Sequence, residues 1–96
     1  MVLGASPGRA EPAEAEPTRE DCIAAVDKAR ALAATLPEDD LSRYFAERSL
    51  LQADVEAGNG EFDDCIEYAE RATVEVKEHR HVLRPGETFE RVPMKK

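Results

Sequence analysis

Basic side chains are scarce in this chain, and so are the marks of catalysis. Thirteen Lys and Arg stand against 21 Asp and Glu, a formal charge of -8. That balance argues against nucleic-acid phosphates and anionic lipids as partners and leaves metal cations and basic proteins. No stretch approaches the roughly 18 apolar residues of a membrane span, so no membrane insertion is expected. No glycine-rich phosphate loop is present, and no serine or cysteine has a histidine placed to activate it. Paired acids near a helix start are too common to nominate a hydrolase, and the chain reads as no enzyme. An EF-hand loop beginning at Asp54 would need glycine at its sixth position and glutamate at its twelfth, where the chain has Asn59 and Cys65. The two cysteines have no histidine at ligand spacing, which makes a zinc site a poor fit.

The 96 residues suffice for one domain at most. A chain of this size buries only about 60% of its unfolded surface, so hydrophobic burial alone leaves it marginal. Residues 1–18, with Pro7, Pro12 and Pro17 among Ala, Glu and Gly, cannot bury enough apolar surface to offset the entropy of ordering. They read as a disordered leader. Its small residues after a short apolar patch, ending at Ala10, look like the remnant of an export signal.

The helical pattern starts at Thr18, followed at the third position by Asp21 as in a capping box. Cys22, Ile23, Val26, Ala29 and Ala33 then recur at helical spacing, and Pro37 ends the run. A second helix, capped by Asp39 or Asp40, carries an apolar face of Leu41, Tyr44, Phe45, Leu51 and Val55, with Arg48 snorkelling among them. Gly58-Asn59-Gly60 stops it. A third helix turns Phe62, Cys65, Ile66, Ala69, Ala72, Thr73 and Val76 inward and ends before Pro85-Gly86. The expected fold is all-α: an antiparallel three-helix bundle, up-down-up, over residues 19–82, with helices at about 19–36, 40–57 and 61–81. An irregular basic tail, 83–96, follows it. Residues 77–96 carry a net charge of +3 and residues 21–76 a net charge of -9, so the tail is suited to folding back on the bundle or to contacting an acidic neighbour.

Asp21-Cys22-Ile23-Ala24-Ala25-Val26-Asp27-Lys28-Ala29 matches Asp64-Cys65-Ile66-Glu67-Tyr68-Ala69-Glu70-Arg71-Ala72, with four identical positions. The second copy resembles the second helix of a tetratricopeptide unit, although the helix before it lacks that family's pattern. In an up-down-up bundle helices one and three run parallel, which brings Cys22 and Cys65 to the same level. A disulfide there would stabilise the chain by about 4 kcal/mol on the chain-entropy model; the alternative is two buried thiols acting as small hydrophobes.

The same topology gathers Glu20, Asp21, Asp54, Glu56, Glu61, Asp63, Asp64 and Glu67 at one end. Acids in a first helical turn complement the helix dipole, which accounts singly for Glu61, Asp63 and Asp64. It does not account for the stripe Asp63, Glu67, Glu70, where like charges at i, i+4 and i+7 repel. A hard cation that takes several anionic oxygens would make the stripe favourable. The candidate metal ligands are therefore Asp54, Asp63, Glu67 and Glu70, with the Asn59 carbonyl near them. His79 and His81, two apart, chelate a transition metal only from an extended segment.

The runs Leu36-Pro37-Glu38-Asp39-Asp40-Leu41-Ser42-Arg43-Tyr44-Phe45 and Val55-Glu56-Ala57-Gly58-Asn59-Gly60-Glu61-Phe62-Asp63-Asp64-Cys65 complete the picture of a small exported acidic bundle. In overall character, over about residues 18–90, the chain resembles landiscernin, a family of lanthanide-binding periplasmic proteins of methylotrophs. The resemblance implies a periplasmic carrier in metal uptake that binds a trivalent lanthanide, with calcium as the other hard cation to consider. It implies a site with few protein ligands, a monomer or a metal-linked homodimer, and work beside another periplasmic metal-binding protein, the EF-hand protein lanmodulin. The alternative reading is a tetratricopeptide-like helical module that binds a protein through a groove or through Ala46, Leu50, Ala53 and Ala57, a small-residue line on the back of the second helix.

Overall fold

The computed structural model describes residues 16–89, and most of the expected leader (1–15) and the end of the expected tail (90–96) lie outside them. Three helices and no strand occur among the described residues: α1 (Arg19–Ala33), α2 (Leu41–Gly58) and α3 (Phe62–Glu78). None is long and apolar enough to cross a membrane. They pack on one another as an all-α bundle in which α3 touches both neighbours closely and α1 touches α2 least.

Each boundary has a local cause. At the start of α1, the Thr18 hydroxyl accepts the Asp21 amide at 3.2 Å while the Asp21 carboxylate accepts the Thr18 amide at 3.0 Å. The helix ends at Ala33, three residues short of the expected Leu36. Pro37 has no N–H to donate to the Ala33 carbonyl, and the Leu36 amide takes that carbonyl in a tighter turn at 3.1 Å. Asp40 caps α2 by accepting the Arg43 amide at 3.0 Å. At the other end of α2 the Gly60 amide reaches the Ala57 carbonyl and the Glu61 amide the Glu56 carbonyl. This Schellman closure needs the left-handed φ of 80° that glycine adopts without strain.

The buried set is composed mainly of small side chains. α1 contributes Cys22, Val26, Ala29 and Ala33, and α3 contributes Cys65, Ala69, Ala72 and Val76. Each member of the first set lies 43 residues before its counterpart in the second, which is also the separation of the two cysteines. The repeated segments thus meet through equivalent faces with the 4-3-4 spacing of a coiled-coil seam. The disulfide Cys22–Cys65 closes the seam at its N-terminal end, with the Cα atoms 5.8 Å apart.

That close approach determines which face α2 can offer. Buried on α2 are Ser42, Ala46, Leu50 and Ala53, with Ala57 packed against them. The expected face of Leu41, Tyr44, Phe45, Leu51 and Val55 is the outward one. Val55 is 53% exposed and Phe45 38% exposed. Two helices joined by alanines and a cystine leave a shallow surface, where small side chains give denser contact than aromatic rings would. Ile23, expected inside, is likewise half exposed. The small-residue line is therefore part of the core or packed against it, and it is not available in the folded chain as the docking line of a helical interaction module.

After α3 the chain crosses the start of α2 and is tied down there. α3 ends at Glu78, not near His81, because His79 turns left-handed (φ 48°) and its Nε2 lies 2.7 Å from the Asp40 carboxylate. The fully buried Ser42 hydroxyl accepts the His81 amide at 3.0 Å and lies 2.8 Å from Glu75 Oε2, to which it donates. The same Glu75 oxygen is 2.7 Å from His81 Nδ1. Both histidines are thus committed to carboxylates. Burial works against the charged Asp40 side chain, but hydrogen bonds from His79 and from the Arg43 and Ser42 amides outweigh it and hold the carboxyl below its ordinary value.

The exchange of faces on α2 is open to a direct check. Ala46→Leu should cost about 1–3 kcal/mol by overpacking, whereas Val55→Ala should cost under about 1 kcal/mol because much of that side chain is already in water. Urea unfolding of both variants reads the difference; equal costs, or the reverse order, would contradict the assigned core.

Candidate metal site

Up-down-up packing places the start of α1, the end of α2 and the start of α3 together. The tight turn at Gly60 delivers the chain into α3 with Glu61 at the N-cap, and the Glu61 side chain makes no capping hydrogen bond. Asp63 and Asp64 follow in the first turn, where the exposed amide ends of the helix favour negative charge. One carboxylate oxygen from each of Glu61, Asp63 and Asp64 falls within 4.8 Å of the other two, and all three groups face solvent. Oxygen ligands at about 2.3–2.6 Å from a hard cation stand up to about 5 Å apart across it, so these three can share one ion.

The electrostatics at this end are those of crowded like charges. The Asp64 carboxyl is raised above its ordinary value, first by the neighbouring Asp63 charge, then by partial loss of water, then by Glu56 and Glu67. Asp63 Oδ1 also accepts the Asp64 amide at 2.8 Å, which fixes the orientation of that carboxylate. The nearby cation, Arg19, lies over the Phe62 ring at 4.9 Å.

Of the four ligands expected from sequence, the structure brings only Asp63 into this group. Asp54, in the last part of α2, pairs with Arg30 of α1 at 3.4 Å. Glu67 pairs with Arg71 one turn later at 2.8 Å, so the stripe is not without a base at that point. Glu70 is exposed on α3. Asn59 is the C-cap of α2. From sequence, Glu61 and Asp64 belong to this acidic end and are accounted for as dipole partners, not as ligands; their membership of a three-carboxylate group follows from the turn that sets Glu61 against the first turn of α3. The adjacency Glu61-Phe62-Asp63-Asp64 was the available signal.

No nucleophile–base pair stands at this site, and the three carboxylates offer charge and oxygen ligands without an activated group beside them. Compared with known protein families, with curated proteins and with solved structures, the chain matches none.

The raised Asp64 carboxyl has a signed consequence. A carboxyl whose folded value lies above its unfolded one opposes folding once both states are ionised, and the penalty disappears when both are protonated. Asp63→Asn, which removes the main cause, should therefore raise the melting temperature at pH 7 and leave it unchanged near pH 2.5. A melting temperature at pH 7 equal to or below that of the parent would show that the repulsion does not act on stability.

Proposed function

We propose that this protein is a non-enzymatic binder of a hard multivalent cation, held by surface carboxylates where α2 hands over to α3. One observation carries the reading: Glu61, Asp63 and Asp64 present oxygens within a single ion's reach, and the Asp63 charge raises the Asp64 carboxyl. A cation turns that repulsion into attraction. Three carboxylates favour a trivalent ion over calcium, because only the higher charge neutralises them fully. The sequence resemblance to landiscernin points the same way, to a lanthanide.

In this reading Glu61, Asp63 and Asp64 are the primary ligands. Glu67 joins by exchanging Arg71 for the ion, and Asp54 and Glu70 shape the field from further off. Three side chains cannot fill the six to eight positions of such an ion, which leaves places for water or for the carboxylates of a second copy in a metal-linked homodimer. The remaining elements of the proposal are a periplasmic setting and a carrier role, passing the ion to another periplasmic metal-binding protein. The Cys22–Cys65 disulfide supports an oxidising compartment, where such bridges form and persist.

Titration of the full-length protein with lanthanum, followed through backbone amide shifts, tests this. The largest shifts should fall between Gly60 and Cys65. The combined E61Q, D63N and D64N changes should weaken binding by about tenfold or more, a loss of about 1.4 kcal/mol. Glu70→Gln should change it little. Binding indifferent to the triple change would remove the basis of the proposal, as would calcium affinity equal to that for lanthanum.

A further inference from the structure

A groove of about 700 Å³ runs between α2 and α3. Phe45, Tyr68 and Val74 give it an apolar lining, and Phe45 and Val74 are each 38% exposed. Three arginines converge on it: Arg48 from α2, Arg71 from α3 and Arg80 from the segment after α3. The two helices are antiparallel across the turn at Gly60, so Arg48, ten residues before the end of α2, and Arg71, nine after the start of α3, stand at one level. Arg48 has no carboxylate partner among the described residues. Its Nη1 donates to the Tyr44 hydroxyl at 3.1 Å, and its guanidinium lies 5.7 Å from the centre of that ring. Arg71 lies over the Tyr68 ring at 4.9 Å.

The carboxylates that line the groove are Glu67, Glu70 and Glu75. Glu75, only 12% exposed, is committed to Ser42 and His81. Glu67 holds Arg71, and Glu78 holds Arg80, in pairs whose side chains are all more than half exposed. Ion pairs so exposed add little to stability and exchange readily. Glu70 also borders a second groove beside α1 and so stands on the ridge between the two. A guanidinium has five N–H donors, and each of the three arginines keeps most of its own for an incoming anion.

We infer that this groove docks a short acidic segment of a partner protein, extended, with its carboxylates on Arg48 and Arg71 and its apolar side chains on Phe45, Tyr68 and Val74. The arginine fork takes a carboxylate through two parallel N–H bonds. An inorganic anion would leave the apolar lining in water, whereas a segment with apolar side chains covers it. The His81 ring, 4.5 Å from that of Phe45, closes one end together with Arg80. From Phe45 to Gln52 the open length is about 10 Å at 1.5 Å per residue. That holds three or four extended residues at about 3.3 Å each and is too short for a helix stable by itself. At physiological salt the acids elsewhere on the bundle are screened beyond about 8 Å, so the guanidiniums set the field within the groove. Docking does not use Glu61, Asp63 or Asp64 and is expected in metal-free protein.

Metal-free full-length protein titrated with the peptide acetyl-Glu-Leu-Glu-Phe-amide, and separately with acetyl-Gln-Leu-Gln-Phe-amide, tests the inference through backbone amide and arginine Nε shifts. The acidic peptide should move the Nε resonances of Arg48 and Arg71 and the amides of 45–52 and 67–75, while those of α1 stay in place. The glutamine peptide should bind about tenfold more weakly or worse, and Arg48→Gln, at an exposed position, should weaken the acidic peptide by about as much. An absence of groove shifts at millimolar acidic peptide would overturn the inference. Equal binding of the two peptides would overturn it as well, since the groove would then be apolar only, and so would full affinity in the Arg48→Gln protein. Groove shifts that arise on concentrating the protein alone would give the groove to a second copy of the chain and contradict the assigned partner.

Discussion

The close parallel packing of α1 on α3 is the constraint from which the rest of the structure follows. Cysteine, valine and alanine at matched positions let the helices approach, and the Cys22–Cys65 bridge holds them there. A surface made in this way is shallow. It accepts Ala46, Leu50 and Ala53 from α2 and leaves that helix's larger apolar side chains facing out. Parallel packing also places two helix starts side by side, and helix starts are where acids are favoured. The core geometry and the charge distribution therefore share one origin.

The two ends of the bundle are treated differently. Where α2 begins and α3 ends, two carboxylates have assigned partners: Asp40 caps a helix and meets His79, and Glu75 holds both Ser42 and His81. At the other end the carboxylates crowd one another, and Asp64 registers the strain as a raised carboxyl. Stability alone explains the first arrangement. The second is a group of exposed like charges at a helix start, and the proposed cation site rests on it.

Much of the fold was legible from local chemistry. The Thr18–Asp21 box, the Asp40 cap and the turn at Gly60 are each contained within a few residues and each occurs as expected, while the first helix stops three residues earlier than expected before Pro37. The disulfide was legible because the repeat put both cysteines at the same level of parallel helices. The face of α2 was not. Periodicity ranks positions by hydrophobicity and so selected Tyr44, Phe45 and Val55, while packing against an alanine-lined surface rewards fit. For the site, Asp63 was legible from the acidic stripe. Arg30 as the partner of Asp54 was not, because that pair spans two helices. The Glu67–Arg71 pair, at i and i+4, was within reach of sequence reasoning and weakens the stripe on which the first ligand set rested.

The dependence of the bundle on its stapled small-residue seam is most directly measured by helical circular dichroism during urea unfolding, with the disulfide intact and then reduced. Opening a loop of 43 residues removes about 4 kcal/mol on the chain-entropy model, comparable to the whole stability of a core this small. The account predicts that the reduced protein loses most of its helical signal in water or unfolds at far lower urea. An unchanged unfolding midpoint after complete reduction would contradict it.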